Sequence, residues 1–373
     1  MTNVFIAADN IFSPIGPTTV ENFAQLKKGI SGIKLHHNKA IADEPFYAAL
    51  FDQSQQFTHD TYTRFEQLLI ASITDALANC NVKATDKKTI LIISTTKGNI
   101  GLLETKPNSR ELMERIALHT SAKLVAKHFD FVNQPLVVSN ACISGIMGIL
   151  TGMRLIQGGQ YENAVVAGAD VISKFVLSGF QSFQAVSAEP CKPFDMDRTG
   201  ITLGEGAATV VLSSNPEYAG NIKVLSGAVS NDANHISAPS RTGEELCQAI
   251  NKTLDAAGVT AADVDFISAH GTATSYNDEM EAKALTLAKL AATPVNSLKG
   301  YYGHTLGAAG LVESIISVQS LKQNIVLPTL GFKNMGVPNP INVCTEILQG
   351  SFNYCLKTAS GFGGCNAAVL FKK

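Results

Sequence analysis

The sequence predicts an α/β protein of layered mixed sheets and helices, built as two similar halves. Three observations lead there. Short apolar, β-branched runs alternate with amphipathic stretches along most of the 373 residues. Charged residues make up 16% against the ~25% usual for soluble domains, while apolar residues reach 45% and glycines number 30, a composition suited to much buried backbone. The third observation is that one order of motifs occurs twice.

The runs at residues 4–8, 89–94, 135–139, 163–167, 207–213, 266–269 and 367–371 are apolar and bounded by turn residues, which predicts buried strands. Residues 64–79, 110–128, 243–257 and 278–290 carry helical periodicity and are long enough to be helices. In the first half a strand leads to Cys142 and then to Gly145, Gly148 and Gly152; in the second, Pro294-Val295-Asn296-Ser297 leads to His304 and then to Gly307 and Gly310. Gly206 follows Cys142 by sixty-four residues and Gly364 follows His304 by sixty, each opening an apolar run. That is the signature of a repeated unit. Turn residues collect at Ser213-Ser214-Asn215-Pro216, so the expected halves are 1–214 and 215–373, packed as one body with a site at their junction.

Composition also excludes function classes. With 29 basic and 31 acidic side chains the formal charge is −2, so the chain is neither a highly charged disordered segment nor a globally basic nucleic-acid binder, which leaves room only for a local basic patch. The seven cysteines, Cys80, Cys142, Cys191, Cys247, Cys344, Cys355 and Cys365, are dispersed and never spaced as Cys-x-x-Cys, so neither a disulfide framework nor a metal site is expected. Reduced thiols suit the cytoplasm. The first nine residues carry no basic segment followed by an apolar core, and no apolar run reaches the about 18 residues of a membrane span. A soluble, intracellular protein is the expectation.

Cys142 stands in Ser139-Asn140-Ala141-Cys142-Ile143-Ser144-Gly145, a small-residue turn from strand to helix. There the helix dipole would favour thiolate and lower its pKa, and free backbone N–H groups could receive an oxyanion. The same position also suits an ordinary core cysteine. His270, in Ala269-His270-Gly271-Thr272-Ala273-Thr274, follows a strand, and His304 enters a small-residue helix. Either histidine alone is more often structural; the conjunction of three such positions in one chain points to nucleophilic and proton-donating chemistry. Lys299 and Glu313 flank His304 in apolar surroundings, where a mutual ion pair holding His304 is the economical reading. His36, His37, His59, His119, His128 and His235 lie in polar loops or on amphipathic helices and receive no role.

Together these motifs, with Lys192-Pro193-Phe194-Asp195-Met196-Asp197-Arg198 and Gly361-Phe362-Gly363-Gly364, resemble those of the elongating β-ketoacyl-[acyl-carrier-protein] synthases of the thiolase superfamily, over almost the whole chain. The resemblance implies a five-layered αβαβα sandwich of two similar halves, normally a homodimer, and so accounts for the repeat. It implies that Cys142 accepts an acyl chain, that the N–H groups of Cys142 and Phe362, with Gly363 in the gating loop, form the oxyanion hole, and that His270 and His304 bind the malonyl thioester carbonyl during decarboxylation. Lys299 and Glu313 would organise the His304 region. Thr272 and Thr274 would meet the phosphopantetheine arm of acyl carrier protein, and no metal or redox cofactor is required. An acidic carrier would need a local basic dock, for which Arg64, Lys123, Lys127 and Arg198 are candidates.

Two departures from the family pattern stand out. Ser360 replaces the first Phe of the gating loop, and Lys97 and Asn99 occupy a region that in relatives lines the distal acyl pocket. His304, where chalcone-synthase-type enzymes have Asn, separates the chain from that branch. Cys365 superficially resembles the second cysteine of degradative thiolases, but a small packing role fits it better. The alternative function is a non-elongating, chain-length-factor-like partner of another ketosynthase, against which Cys142 speaks, since such subunits have no nucleophile.

Overall fold

The computed structural model describes residues 2–52, 61–218, 221–233 and 239–373; His59 and His235 lie outside them. Ten strands form one extended sheet, in the order Val295–Asn296, Phe266–Ser268, Tyr354–Gly361, Cys365–Lys372, Lys223–Asn231, Phe5–Phe12, Gly206–Ser213, Asn163–Asp170, Thr89–Ser94 and Leu136–Val138. Read outward from the centre, each side runs antiparallel, antiparallel, parallel, parallel, and its five strands stand in the same order of chain position. The repeat seen in the sequence is therefore a repeat of topology. At the seam Phe5 pairs with Lys223, supported by Ile6 N–H donating to Ile222 O at 3.0 Å and Val224 N–H to Val4 O at 2.9 Å.

The two sheet halves enclose a central helix pair, Ser144–Gln157 and Ala309–Gln323. Their sequences explain the burial: the second carries no charge before its last turn except Glu313, and twelve of its residues are buried, which suits a helix covered on almost all sides. The two helices cross through glycine. A Cβ on Gly145 would lie 2.6 Å from the Leu311 nitrogen and one on Gly310 2.8 Å from the Ile146 nitrogen, so no larger residue allows this approach. Helices Arg64–Ala78 and Leu118–His128 cover the outer face of the first half, and Glu244–Ala257 and Ser275–Leu287 that of the second. The layers are thus αβαβα.

The structure amends the element expectations in three places. The helix expected over 110–128 is two, Arg110–Ile116 and Leu118–His128, because Ala117 between them is extended (φ −62°, ψ 128°). The helix expected over 278–290 runs Ser275–Leu287, with Lys289 in the left-handed region (φ 61°) closing the turn. Strands Lys223–Asn231 and Tyr354–Gly361 were not expected, since each interleaves polar residues with apolar ones.

Candidate active site

Strand Leu136–Val138 ends in a tight turn that presents Cys142. Ser144 Oγ accepts the Asn140 N–H at 2.8 Å and donates to Ala141 O at 2.7 Å, which holds Ala141 in the left-handed region (φ 43°). Such backbone is unfavourable for a residue with a Cβ and persists only where the surroundings enforce it. The thiol faces His270 and His304, and one ligating atom from each of the three lies within 4.8 Å of the others. The imidazole rings stand edge to face, with centroids 5.1 Å apart.

Hydrogen bonding settles which nitrogen of each ring carries the proton. The Leu306 N–H donates to His304 Nδ1 at 3.2 Å, so Nε2 bears hydrogen; that Nε2 is buried and has no partner among the described residues. Lys299 Nζ lies 3.5 Å from His270 Nδ1, and an ammonium can only donate, so His270 carries its proton on Nε2 as well. Burial, reinforced by Lys299 and Lys357, holds both imidazoles well below the usual histidine range, with His304 a further cause for His270. The site is a pair of neutral N–H donors aimed at the space beside a thiol.

Lys299 is fully buried, donates to His270 O at 3.0 Å and forms an ion pair with Glu313. The pairing expected from sequence is present, yet it is half of the arrangement. Lys357, also fully buried, lies 2.8 Å from the other Glu313 oxygen and donates to Ser268 O and Ala269 O at 3.1 Å and to Thr358 O at 2.6 Å. Glu281, another residue the sequence reading missed, accepts the His270 and Gly271 N–H groups at 2.7 and 2.8 Å and the Thr358 hydroxyl at 2.7 Å. Asp170 does the same for the His304 turn, accepting from Gly307 N at 2.7 Å, Thr95 Oγ1 at 2.8 Å and the Thr96 and Lys97 amides. Local sequence carried little signal for them: Lys357 stands among interleaved polar and apolar residues and reads as exposed, and Glu281 and Asp170 look like solvated helix and turn residues.

One expectation is corrected. Burial pushes the Cys142 thiol up to about 12, with the Cys365 thiol a smaller contributor in the same direction and Lys299 opposing, so the helix terminus does not make a resting thiolate. Desolvation of a buried residue only 8% exposed outweighs a fractional dipole charge.

The gating segment Gly361-Phe362-Gly363-Gly364 reaches the nucleophile closely. A Cβ on Gly361 would sit 2.9 Å from the Cys142 nitrogen, and Gly363 and Gly364 both have positive φ (85° and 74°). The Phe362 ring stacks on Phe180 at a centroid distance of 5.6 Å and meets Phe183 at a tilt at 5.2 Å, forming the aromatic wall of a cavity of about 230 Å³. Thr272 and Thr274, whose hydroxyls lie 2.8 Å apart, line the opposite polar wall. Ser360 is buried and donates to Asn366 Oδ1 at 2.7 Å. Cys365 is buried and its thiol donates to Phe362 O at 3.5 Å, which ties the gating loop. Asn99 is a structural residue: its amide donates to Glu66 and Ser121 and its oxygen accepts from Thr63, beside a bidentate Arg115–Glu66 pair at 2.5 Å.

The four candidate docking cations separate. Lys123 and Lys127 are exposed on helix Leu118–His128. Arg64, with its side chain 40% exposed, is committed to buried Glu205 at 2.6 Å. Arg198 is a correction: its side chain is 6% exposed, donates to Gly336 O at 2.6 Å and Asp195 O at 2.9 Å and faces Asp278 and Glu279, so it offers no charge to a docking surface.

Family models for the β-ketoacyl synthase N-terminal domain and C-terminal domain match residues 2–217 and 222–333. The chain belongs to the β-ketoacyl synthase family. It is 29% identical to the 3-oxoacyl-[acyl-carrier-protein] synthase 2 of Vibrio cholerae across 99% of both proteins. It is 28% identical to a putative mitochondrial 3-oxoacyl-[acyl-carrier-protein] synthase of Schizosaccharomyces pombe, across 83% of this chain and 81% of that one. Among solved structures, the ishigamide ketosynthase/chain length factor superposes with a TM-score of 0.90 at 25% identity, covering 100% of this chain and 99% of that one. The fold is the thiolase-like sandwich of this family. Among the described residues no helix is long and apolar enough to cross a membrane.

Proposed function

We propose that the chain is an elongating β-ketoacyl-[acyl-carrier-protein] synthase, an acyltransferase that joins an acyl group held on Cys142 to malonyl carrier protein. The observation that carries this reading is the convergence of the Cys142 thiol with two imidazole donors, one of them with an unpartnered, buried Nε2. Attack by Cys142 on an acyl thioester forms the enzyme C–S bond and breaks that of the donor. The thiol proton passes to the departing pantetheine thiolate, since neither imidazole offers a free Nε2 lone pair, and the Cys142 and Phe362 amides receive the oxyanion. Malonyl thioester then places its carbonyl against the Nε2–H groups of His270 and His304. Its carboxylate C–C bond breaks, carbon dioxide leaves and the electron pair becomes an enolate stabilised by the two donors. The enolate carbon attacks the acyl-cysteine carbonyl, and the C–S bond breaks to release Cys142 as a thiolate, which takes a proton from solvent and returns to the thiol.

Thr272 and Thr274 are assigned to the phosphopantetheine arm, which the carrier protein supplies; no metal or redox group takes part in these steps. The acidic carrier protein docks on Lys123 and Lys127, and the working form is a homodimer in the cytoplasm. Intact-mass measurement after incubation with a panel of acyl carrier proteins tests the reading. A single acyl adduct is expected on the native chain and none on Cys142→Ala. Failure of the native chain to acylate alone, with turnover restored by a second ketosynthase, would assign it instead as a non-elongating partner subunit.

A further inference from the structure

Lys357 is the feature of the site that the reaction outlined above does not use. It sits in the middle of strand Tyr354–Gly361, between Leu356 and Thr358, with no exposed surface. An apolar residue would satisfy packing there without desolvating an ammonium, so the charge requires its own account. Its neighbours supply one. In the parallel pairing with Phe266–Ser268, Lys357 stands opposite Ser268, two residues before His270. Its three protons go to the carbonyls of Ser268, Ala269 and Thr358, and the charge faces Glu313, whose other oxygen is held by Lys299.

We propose that Lys357 is a positioning residue for the two-histidine site: it clamps the end of the strand that carries His270 and completes the charge set behind both imidazoles. The inference rests on the ketosynthase reading. Around the rings stand Lys299 and Lys357 as cations, Glu313 and Glu281 as anions, Cys142 in front, and Asp170 behind the His304 turn where it accepts amide protons. Burial and the two ammonium groups disfavour a proton on either imidazole, so both rings stay neutral N–H donors. Glu313 acts as the bridge: its carboxylate spans the lysine that touches His270 directly and the lysine that ties down the preceding carbonyls.

Two variants separate the clamp from general stability. Lys357→Met keeps side-chain length and removes both charge and hydrogen bonds; Lys357→Gln keeps donors for the carbonyls and removes the charge. In each, malonyl decarboxylation is expected to fall about ten- to a hundredfold, the range found when outer partners of active-site groups are removed. The acid limb of its pH–rate profile should move to higher pH, because a lost cation makes neighbouring imidazoles easier to protonate. Acylation of Cys142, read by intact mass, should continue. Folded variants that decarboxylate at the native rate with an unmoved acid limb would overturn the proposal. Loss of acylation in the native protein would instead remove the ketosynthase reading. Should neither variant fold, nitrogen NMR of the native protein decides: neutral rings protonated at Nε2 at pH 5.5 support the role of the two lysines behind the rings, and an imidazolium signal from either ring at that pH overturns it.

Discussion

His304 and Leu306 are joined by a hydrogen bond that sets the chemistry of the site: the Leu306 amide donates to Nδ1 at 3.2 Å, and the proton of the imidazole is thereby placed on Nε2, facing Cys142. A neutral imidazole N–H free to donate is what an enolate oxygen requires. His304→Ala should cut malonyl decarboxylation about 10²- to 10⁴-fold, the usual contribution of such a group, while leaving formation of the acyl-cysteine measurable. Equal loss of both half-reactions would place His304 in acylation rather than decarboxylation.

The thiol pushed up to about 12 should declare itself in alkylation kinetics. Thiolate is the reactive form, so iodoacetamide labelling of Cys142, followed on its own peptide, should rise about tenfold per pH unit from pH 7 to 10. A rate that levels off near pH 7 would mean that the helix terminus does stabilise a resting thiolate.

Acid should destabilise the fold through its two buried imidazoles. Both folded-state pKa values lie well below the ordinary histidine value of 6.5, so below that pH the unfolded chain binds protons that the native chain does not. Stability is then unaffected above about pH 6.5 and falls as the pH drops beneath it, with a slope of up to ~1.4 kcal/mol per unit for each ring. Urea midpoints measured from pH 7 to 5 should fall less steeply for the His270→Ala, His304→Ala double variant. Matching slopes would contradict the assignment.

The crossing of the central helices makes a sharper structural test. Gly145→Ala puts a methyl 2.6 Å from the Leu311 nitrogen and should cost about 1–3 kcal/mol or more by overpacking. Gly179, within helix Lys174–Ser182, has open space around its Cβ direction and should gain up to about 1 kcal/mol as alanine. Denaturant unfolding of the two variants checks both signs together.

Charge reversal at the exposed helix face tests docking. Lys123→Glu with Lys127→Glu should raise KM for acyl carrier protein several-fold at low salt and leave a minimal acyl-pantetheine substrate unaffected. An unchanged KM for the carrier protein would move its dock elsewhere.

Much of this molecule was legible in one dimension. Period and turn chemistry located strands such as Thr89–Ser94 to the residue, because a strand buried on both faces must be a continuous apolar run. Spacing exposed the repeat, and three small-residue turns marked Cys142, His270 and His304. A glutamate surrounded by Leu311, Val312, Ile315 and Ile316 had to be paired, which pointed to Lys299.

The remainder depended on contacts between residues far apart in the chain. Strand Tyr354–Gly361 escaped notice because a buried lysine at its centre imitates an exposed one, and only its pairing with Phe266–Ser268 brings Lys357 to Glu313. Arg198 looked like surface charge until Asp278 and the Gly336 carbonyl enclosed it. Local sequence likewise argued for an acidic Cys142 from its helix terminus, and burial reversed the direction. Periodicity and turn chemistry act within a few residues, so the sequence by itself determined the layers, the repeat and the identity of the reacting groups. Desolvation and ion pairing act between elements brought together by folding, so the tertiary structure alone decided the protonation of those groups and the charges that hold them.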